Sequence, residues 1–558
     1  MSKNMAKVPH TLDGLSVHGL NIKQRSFETG KKNYIRGSVG GTIPVYIELD
    51  DDSSVPDQVM LYIEEMSGSR FQRSTAVLKK KNRKYSGSII LKNTAVYRFK
   101  SIGRFGSRWS VDNVPFSYII SDPKGIQDLA IYTLLPTASG EFSQWLSLLP
   151  VINKMGFNCI QVLPLTAPDS SASPYAADDH FSFDPALLDG KRTGAEQQFR
   201  VFIKALKKHE MSLCIDLVFN HAGTASKMVS EHRSWFREDI AEEDGIKRAG
   251  WDDGVNWHKW TNLALFDYEP FSPIEKKGLW NHMTRYALYW AGFAAETGGA
   301  VRLDNVHSTY RPFLLHVLSR LRDAYPNLII FAEHFGGEKE IRSACLDYGI
   351  NLLLATPWEH KFVPQIIGHL RYLHTQVSNI RYVYPVCSHD SGMPAEEFGD
   401  VRTTIVRFAL SAFLSPGPIG MVQGMEFGQL KRYDFTDPDH TLPSAGKEDF
   451  RALIRNIMKL RQKYNCFSAA GNINFLGLYQ DAIIAAERTD KKTNLPLFLI
   501  LINFDIHAPR HVHIRNDQTG ITEPFSNIPE LGNAVIETGN DGFTFRLDPF
   551  SFAVYAYE

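Results

Sequence analysis

The 558-residue sequence predicts an α/β protein built on a (β/α)8 TIM barrel with a β-sandwich on either side. Eight apolar runs alternate with helix-like segments in the middle of the chain, and short β-type runs with polar turns come before and after them. We expect sandwiches at 1–125 and 466–558 and the barrel at 126–465. The stretch 222–280 after strand three is too long for a simple loop, which indicates a small inserted subdomain.

The individual elements follow in chain order. Runs such as GTIPVYIELD and QVMLYIEEM between polar turns are typical of a sandwich. After SDPKG comes the strand DLAIYTLLP, and then Phe142, Trp145, Leu146, Leu149 and Ile152 recur at helical spacing, with Gly156 at the expected helix stop. The other seven candidate strands are FNCIQVLPL, MSLCIDLVF, GGAVRLDN, NLIIFAEH, GINLLLAT, RYVYPVCSHD and PGPIGMVQG. Eight is the number of strands that closes this kind of barrel.

Composition excludes several classes of protein. Lys plus Arg and Asp plus Glu are both 61, so no net field attracts nucleic acid or an anionic membrane. The longest apolar run, 497–502, is far shorter than the roughly 20 residues of a spanning helix, and the N-terminus has no apolar signal region. An odd number of cysteines without CxxC spacing indicates reduced thiols and a cytoplasmic protein: Cys159, Cys214, Cys345, Cys387 and Cys466.

Candidate reactive groups stand where predicted barrel strands end, which is where barrel enzymes carry their active sites. Each such carboxylate alone is more often a helix cap or an ion-pair partner, but four adjacent strand ends together indicate a site. The groups are Asp216, Asn220 and His221 at the end of strand three, Arg302, Asp304, Asn305 and His307 at strand four, Glu333 and His334 at strand five, and His389 and Asp390 at strand seven.

The two central carboxylates, Asp304 and Glu333, lie on neighbouring strands. The lateral spacing of a sheet is about 5 Å, which suits the nucleophile and acid/base of a retaining glycosidase. Arg302 lies two residues before Asp304 and points to the same side, so it can keep that carboxylate ionised. Glu333 must instead hold a proton at neutral pH, which the negative charges of Asp304 and Asp390 would favour.

At these residues the sequence resembles the α-amylase family of glycoside hydrolases, whose four motifs match in order as DLVFNH, VRLDNVH, AEH and HD. The resemblance implies a retaining α-glucan enzyme that requires no cofactor. Asp304 resembles the nucleophile, Glu333 the general acid/base and Asp390 the third carboxylate, which binds sugar hydroxyls. The resemblance also implies sugar-binding roles for Arg302, His221, His389 and the stacking ring of Tyr175, with Asp216 in support.

One departure bears on the reaction. Typical α-amylases carry a Lys-His pair three and four residues after the nucleophile, where this chain has His307 and Ser308. The run RLDNVHST is similar to RLDNCHST in the transferase half of glycogen debranching enzymes, which favours a 4-α-glucanotransferase over an α-amylase-type hydrolase. DNVHST is also weakly similar to bacterial maltosyltransferases that use maltose 1-phosphate, but those typically lack the pair Asn220–His221. A non-catalytic glucan-binding protein has no need for so complete a catalytic set.

Several properties stay open at this point. In calcium-dependent relatives the Asn at position 220 binds the metal, yet no clear EF-hand-like loop or matching carboxylate set follows it. The expected partner is an α-1,4-glucan or maltooligosaccharide substrate, with neither nucleic acid nor membrane. The oligomeric state and the roles of His307 and His334 are undecided.

Overall fold

The computed structural model describes residues 8–27, 34–190, 194–252, 255–376, 380–434, 448–477, 482–516, 526–528, 531–532 and 534–557. At its centre eight parallel strands close into a barrel in chain order, which confirms the predicted TIM-barrel fold. Strands one to eight are Ala130–Leu134, Cys159–Val162, Ser212–Val218, Ala300–Asp304, Ile329–Ala332, Leu352–Leu354, Tyr382–Pro385 and Ile419–Val422.

Helices surround this barrel and bury their apolar faces against it. The longer ones are Phe142–Met155, Ala195–Lys208, Pro273–Ala295, Arg311–Ala324, Glu338–Asp347, Val363–Gln376, Arg402–Leu414 and Arg451–Lys463, and two short ones are Lys227–Glu231 and Pro394–Phe398. The first helix begins with a capping box between Glu141 and Gln144 and ends at Gly156, whose φ is 103°. A Cβ at Gly156 would lie 2.6 Å from Cβ of Met458, so the glycine also permits close packing of the last helix.

The loops after strands two and three form small sheets of their own. Thr166–Pro168 pairs with Ala177–Phe183, and the loop between them carries Tyr175. After strand three, the segments His221–Gly223, Trp257–Leu265 and Arg248–Asp252 form a three-stranded antiparallel sheet in that spatial order. The next barrel helix begins at Pro273, inside the range expected for the inserted subdomain.

Two sheets pack together before the barrel. One contains Ser16–Leu20, Arg108–Asp112, Ala95–Phe105, Ser117–Asp122, Tyr34–Ser38, Gln58–Ser67 and Arg70–Val77, and the other contains Ile22–Phe27, Thr42–Leu49, Lys84–Ile90 and Lys79–Lys81. Their facing side chains form a separate apolar core that includes Val45, Leu61 and Phe99.

Two further sheets follow the barrel. They consist of Ile473–Phe475, Ile483–Thr489, Pro496–Asn503, Ser551–Ala556 and Ser526–Asn527, and of Arg510–Arg515, Gly542–Leu547 and Val535–Thr538. A third core, with Leu499, Val512 and Phe545, lies between them.

A buried polar network joins the N-terminal sheets to the barrel. Asp122, fully buried, accepts from Arg36 Nη1 at 2.7 Å and from Asn351 Nδ2 at 3.0 Å, and Arg381 Nη2 lies 3.4 Å away. Arg36 also donates to the main chain of Asn351, just before strand six. Because every charge in this network is removed from water, it fixes the N-terminal sheets against the barrel only while all its members are present.

In the part of the chain that the structure describes, no helix is long and apolar enough to cross a membrane. All five cysteines are free thiols, and four of them are buried.

Candidate active site

Arg302 is the centre of the charged cluster at the mouth of the barrel. Its side chain is 2% exposed. Nη1 donates to Asp216 at 2.8 Å and to Asp304 at 3.1 Å, and Nη2 lies 2.8 Å from Oε2 of Glu333. The register of the sheet explains this contact set, because Arg302 pairs with Asp216 on strand three, and strand five follows on the other side. One guanidinium thus holds carboxylates from three adjacent strands.

The two predicted reactive carboxylates lie side by side. Leu303 pairs with Ala332, and the N–H of Glu333 donates to the carbonyl of Leu303 at 3.0 Å, so Asp304 and Glu333 end their strands at the same level. Strands in a sheet lie about 4.8 Å apart, close to the carboxyl separation of roughly 5 to 5.5 Å in retaining glycosidases. Their side chains are only 11% and 14% exposed.

Asn305, one of the candidate residues at the end of strand four, makes a contact that the sequence did not predict. Its φ is 42°, in the left-handed region that asparagine tolerates better than most residues. This conformation directs its backbone N–H to Oε2 of Glu333 at 3.1 Å. Because Oε2 accepts both from Asn305 and from Arg302, a protonated Glu333 carries its proton on Oε1. The signal in the sequence was an Asn directly after the strand-ending Asp304.

A second set of contacts joins Tyr175 to strands three and seven. The Tyr175 hydroxyl donates to Oδ2 of Asp216 at 2.9 Å and lies 2.6 Å from Nε2 of His389, and the two rings are parallel within 4°. Nε2 of His389 is also 3.0 Å from Oδ2 of Asp390, whose side chain is 49% exposed. Tyr175, Asp216 and His389 are therefore buried and fixed, while Asp390 faces the open mouth.

The inserted sheet and the segment after strand eight bring further groups to the mouth. His221 is 2% exposed and its ring lies 5.9 Å from that of Trp260, which belongs to the neighbouring strand. Arg432, after strand eight, donates to the carbonyl of Asp390 at 2.6 Å. The sequence did not predict a role for Trp260 or Arg432. The tryptophans of the insertion were noted only as part of its composition. Arg432 does not directly follow a predicted strand.

His307 and His334, whose roles the sequence left open, lie close together near Glu333. His307 and His334 have ring centroids 5.8 Å apart, and the ring of Phe335 is 5.7 Å from that of His307. Burial lowers the pKa of His307, although the charge of Glu333 opposes the shift, and burial together with His307 lowers the pKa of His334 to about 4. These imidazoles, whose neutral form burial favours, and the 46% exposed Phe335 form a largely apolar border beside Glu333.

The cluster contains more carboxylates than positively charged groups. Burial raises the pKa of Asp304 well above its ordinary value; Arg302 opposes this shift, and the charges of Glu333, Asp216 and Asp390 add to it. Arg302 itself stays protonated, because the surrounding carboxylates outweigh its desolvation. Although its position inside the mouth works against ionisation, the charge and hydrogen bond of His389 lower the pKa of Asp390 to about 2. Burial and the neighbouring carboxylates thus oppose ionisation of Asp304, whereas His389 favours the ionised form of Asp390.

Asn220 was the candidate calcium ligand. Its backbone carbonyl accepts from the N–H of Phe266 at 3.1 Å, and its Nδ2 atom is buried. Within the described ranges, no group of three or more His, Cys, Asp or Glu side chains is arranged to hold a metal ion. The described residues around Asn220 therefore do not form the set of carboxylates that calcium prefers, and the mechanism proposed below uses no metal ion.

Comparison with known proteins gives a partial match in sequence. Residues 125–235 match the family described as the glucanotransferase domain of glycogen debranching enzyme. An α-1,4-glucan:maltose-1-phosphate maltosyltransferase of Cereibacter sphaeroides is 24% identical over 428 residues, which are 67% of this chain and 57% of that protein. The chain thus spans little more than half the length of this curated relative.

Solved structures share the fold. A maltogenic α-amylase, AmyB, of Thermotoga neapolitana has a TM-score of 0.59 at 19% identity, covering 77% of this chain and 99% of its own. A structure titled cyclomaltodextrinase has a TM-score of 0.60 at 15% identity and covers 96% of this chain and 99% of its own. The match of residues 125–235 and the ordered strand-end motifs make the chain similar to enzymes of the α-amylase family, and the solved structures show that it shares their barrel fold.

Proposed function

We propose that this protein is a 4-α-glucanotransferase that acts on α-1,4-glucans by double displacement. The observation that carries the mechanism is the attachment of Asp304 and Glu333 to one buried guanidinium, that of Arg302, at the same level of adjacent strands. Glu333 protonates the glycosidic oxygen and Asp304 attacks the anomeric carbon, which forms a covalent glycosyl ester. Glu333 then takes the proton of the acceptor hydroxyl, whose oxygen bonds to the anomeric carbon as the ester bond to Asp304 breaks, so the transferred sugar retains its anomeric configuration and Asp304 is freed.

The remaining residues bind and orient the sugar. Asp390, ionised and half-exposed, accepts hydrogen bonds from sugar hydroxyls, and the ring of Tyr175 lies under the pyranose. Asp216 holds both Arg302 and Tyr175, so it positions the nucleophile and the stacking ring from one buried atom, Oδ2. His221 and His389 complete the border of this subsite.

Transfer rather than hydrolysis is supported by the border beside Glu333. An exposed aromatic ring at Phe335 and the neutral His307 offer a face on which an acceptor pyranose can stack, whereas water gains nothing from such a face. The match of residues 125–235 to a glucanotransferase domain points the same way. An α-amylase-type hydrolase would use the same carboxylates with water as the acceptor.

A second candidate is a maltosyltransferase that uses maltose 1-phosphate, because the curated relatives carry that name at identities of 21 to 25%. The two functions separate in one assay. Purified protein is incubated with maltoheptaose in the absence of phosphate, and in parallel with maltose 1-phosphate and glycogen. Products both longer and shorter than maltoheptaose support the glucanotransferase, only shorter products with new reducing ends support the hydrolase, and release of phosphate confined to the second mixture supports the maltosyltransferase.

A further inference from the structure

A cavity of about 470 Å³ lies at the outer face of the barrel, between two of its helices and the N-terminal sheets. One wall comes from the strands Gln58–Ser67, Ala95–Phe105 and Ser117–Asp122, and the other from the helices Arg311–Ala324 and Glu338–Asp347. Sites for small molecules commonly have volumes of roughly 300 to 1,000 Å³. The mechanism proposed above uses none of the residues that line this cavity. The cavity is therefore large enough for a small ligand and separate from the proposed active site.

The two helices that line the cavity follow the strands that carry the proposed reactive carboxylates. Arg311–Ala324 comes after strand four and Asp304, and Glu338–Asp347 comes after strand five and Glu333. The segment between Asp304 and the first of these helices contains His307, which lies near Glu333. The walls of the cavity are thus continuous along the chain with the segments beside the reactive pair.

A buried guanidinium, that of Arg322, lies at the wall of the cavity. Its Nη1 donates to the carbonyls of Pro326 and Leu328 at 2.9 and 2.7 Å, and its Nη2 donates to Oδ1 of Asn351 at 3.1 Å. Burial lowers the pKa of Arg322 to about 10, and the charge of Asp122 opposes the shift. Arg322 is therefore protonated at neutral pH, and these three hydrogen-bond partners are neutral.

The nearby carboxylate of Asp122 is already shared by two other arginines, Arg36 at 2.7 Å and Arg381 at 3.4 Å. The buried wall thus has an excess of positive charge. Nearer the solvent, Arg311 lies 3.0 Å from Asp347, and both of these side chains are largely exposed. An exposed ion pair of this kind is weak, so Arg311 can exchange Asp347 for an anionic ligand.

Hydroxyl groups and aromatic rings complete the lining. Thr94 and Ser121 line the cavity, and their buried side-chain hydroxyls have no hydrogen-bond partner among the described residues. Buried polar groups normally have such a partner, and a hydroxyl can donate to a ligand oxygen or accept from a ligand hydroxyl. Tyr118 and Tyr348 add ring faces of the kind on which a pyranose packs. The lining therefore suits a ligand that has both an anionic group and a sugar ring.

We propose that this cavity is an effector site for a small phosphorylated sugar. Arg322 attracts the phosphate group by its charge, Arg311 donates to the phosphate oxygens, and the ring of Tyr348 contacts the sugar. Planar guanidinium groups match phosphate oxygens in geometry as well as in charge. A ligand held between the N-terminal sheets and the two helices acts on the segments beside the reactive pair. This inference does not depend on which glucan reaction the protein catalyses.

Binding of glucose 6-phosphate, measured by calorimetry in the absence of glucan, tests the site. In R311Q and in L315W we expect the Kd to rise at least about tenfold. The first substitution removes a donor to the phosphate, and the second places a larger side chain at Leu315, a 39% exposed residue of the lining, without changing the charge. R342Q is the matched control, since Arg342 is an exposed, ion-paired arginine on the helix Glu338–Asp347 that does not line the cavity.

The same titrations can overturn the proposal. A Kd that is unchanged in R311Q or in L315W would place the ligand elsewhere, and an equal rise in R342Q would show a general effect of surface charge. Glucose or inorganic phosphate binding as tightly as glucose 6-phosphate would also refute it, because the ligand would then need no phosphate or no sugar.

Amide hydrogen exchange tests the effector role without any measurement of turnover. Saturating glucose 6-phosphate should change the exchange rates of the segments 305–310 and 333–337, which connect the reactive carboxylates to the two helices. The change should be present in the wild type and in R342Q and absent in L315W. Exchange in these segments that is unaffected by the ligand, or affected equally in L315W, would refute an effector site in this cavity.

Discussion

The backbone N–H of Asn305 donates to Oε2 of Glu333 at 3.1 Å, so the residue after the proposed nucleophile holds the proposed acid/base. This bond requires the left-handed conformation of Asn305, with φ at 42°. Since Arg302 donates to the same oxygen, the two reactive carboxyls are coupled both through the chain and through one guanidinium. Changes at either carboxyl should therefore affect the protonation of the other.

Replacing the nucleophile should stop turnover without unfolding the protein. D304N keeps an oxygen that can accept from Arg302 but cannot form the glycosyl ester, so we expect kcat on maltoheptaose to fall by more than about 10³-fold. Circular dichroism and glycogen binding should match the wild type. Residual turnover above that level in a sequence-verified preparation would refute the role of Asp304.

The same variant should change how stability depends on pH. The pKa of Asp304 is raised in the folded state, so as pH rises above about 4 the unfolded chain releases this proton first. The free energy of unfolding of the wild type then falls until the pH passes the folded-state pKa. D304N has no carboxyl group at this position, so its free energy of unfolding does not fall for this reason. We expect D304N to melt at least about 2 °C above the wild type at pH 8, with a smaller difference at pH 5. A difference in melting temperature that is independent of pH would contradict this reading.

Removing the acid should affect substrates unequally. E333Q retains size and an acceptor for Asn305 but has no proton to donate, so activity on maltoheptaose should fall about 10² to 10⁴-fold. A donor with a good leaving group, α-maltosyl fluoride, needs no protonation and should lose less of its glycosylation rate. Rates are compared on both donors, and an equal loss on the two would exclude Glu333 as the acid.

Truncating Phe335 should favour water over sugar as the acceptor. Without the exposed ring beside His307, F335A should raise the KM for a maltose acceptor about tenfold and lower the ratio of transfer to hydrolysis. F335Y keeps the ring and serves as the control. If product analysis gives the same ratio for F335A and the wild type, acceptor binding does not depend on this residue.

The polar network under the N-terminal sheets should be important for stability. D122A leaves Arg36 and Arg381 as uncompensated buried charges, which costs about 3 to 5 kcal/mol of unfolding free energy. The control E338A removes an exposed ion pair with Arg342, worth about 0.3 to 0.5 kcal/mol. Urea denaturation measures both, and similar effects of the two substitutions would show that the network contributes little.

The sequence by itself predicted the eight-stranded barrel and the strand ends that carry Asp304, Glu333 and Asp390. It could do so because alternation of strand and helix is a local pattern, and because parallel strands end at one face of a barrel. It also placed the first helix, since the helical spacing of Phe142 to Ile152 and the stop at Gly156 are local signals.

Only the tertiary structure decided which of these groups contact one another. The distance from Arg302 to Glu333, the turn at Asn305, the burial of Tyr175 against Asp216, and the packing of Trp260 on His221 join residues from different strands and loops. Such contacts depend on register and on side-chain packing over long sequence separations, for which the sequence carries no local signal. The sequence thus determined which groups stand at the mouth, and folding determined which of them contact one another.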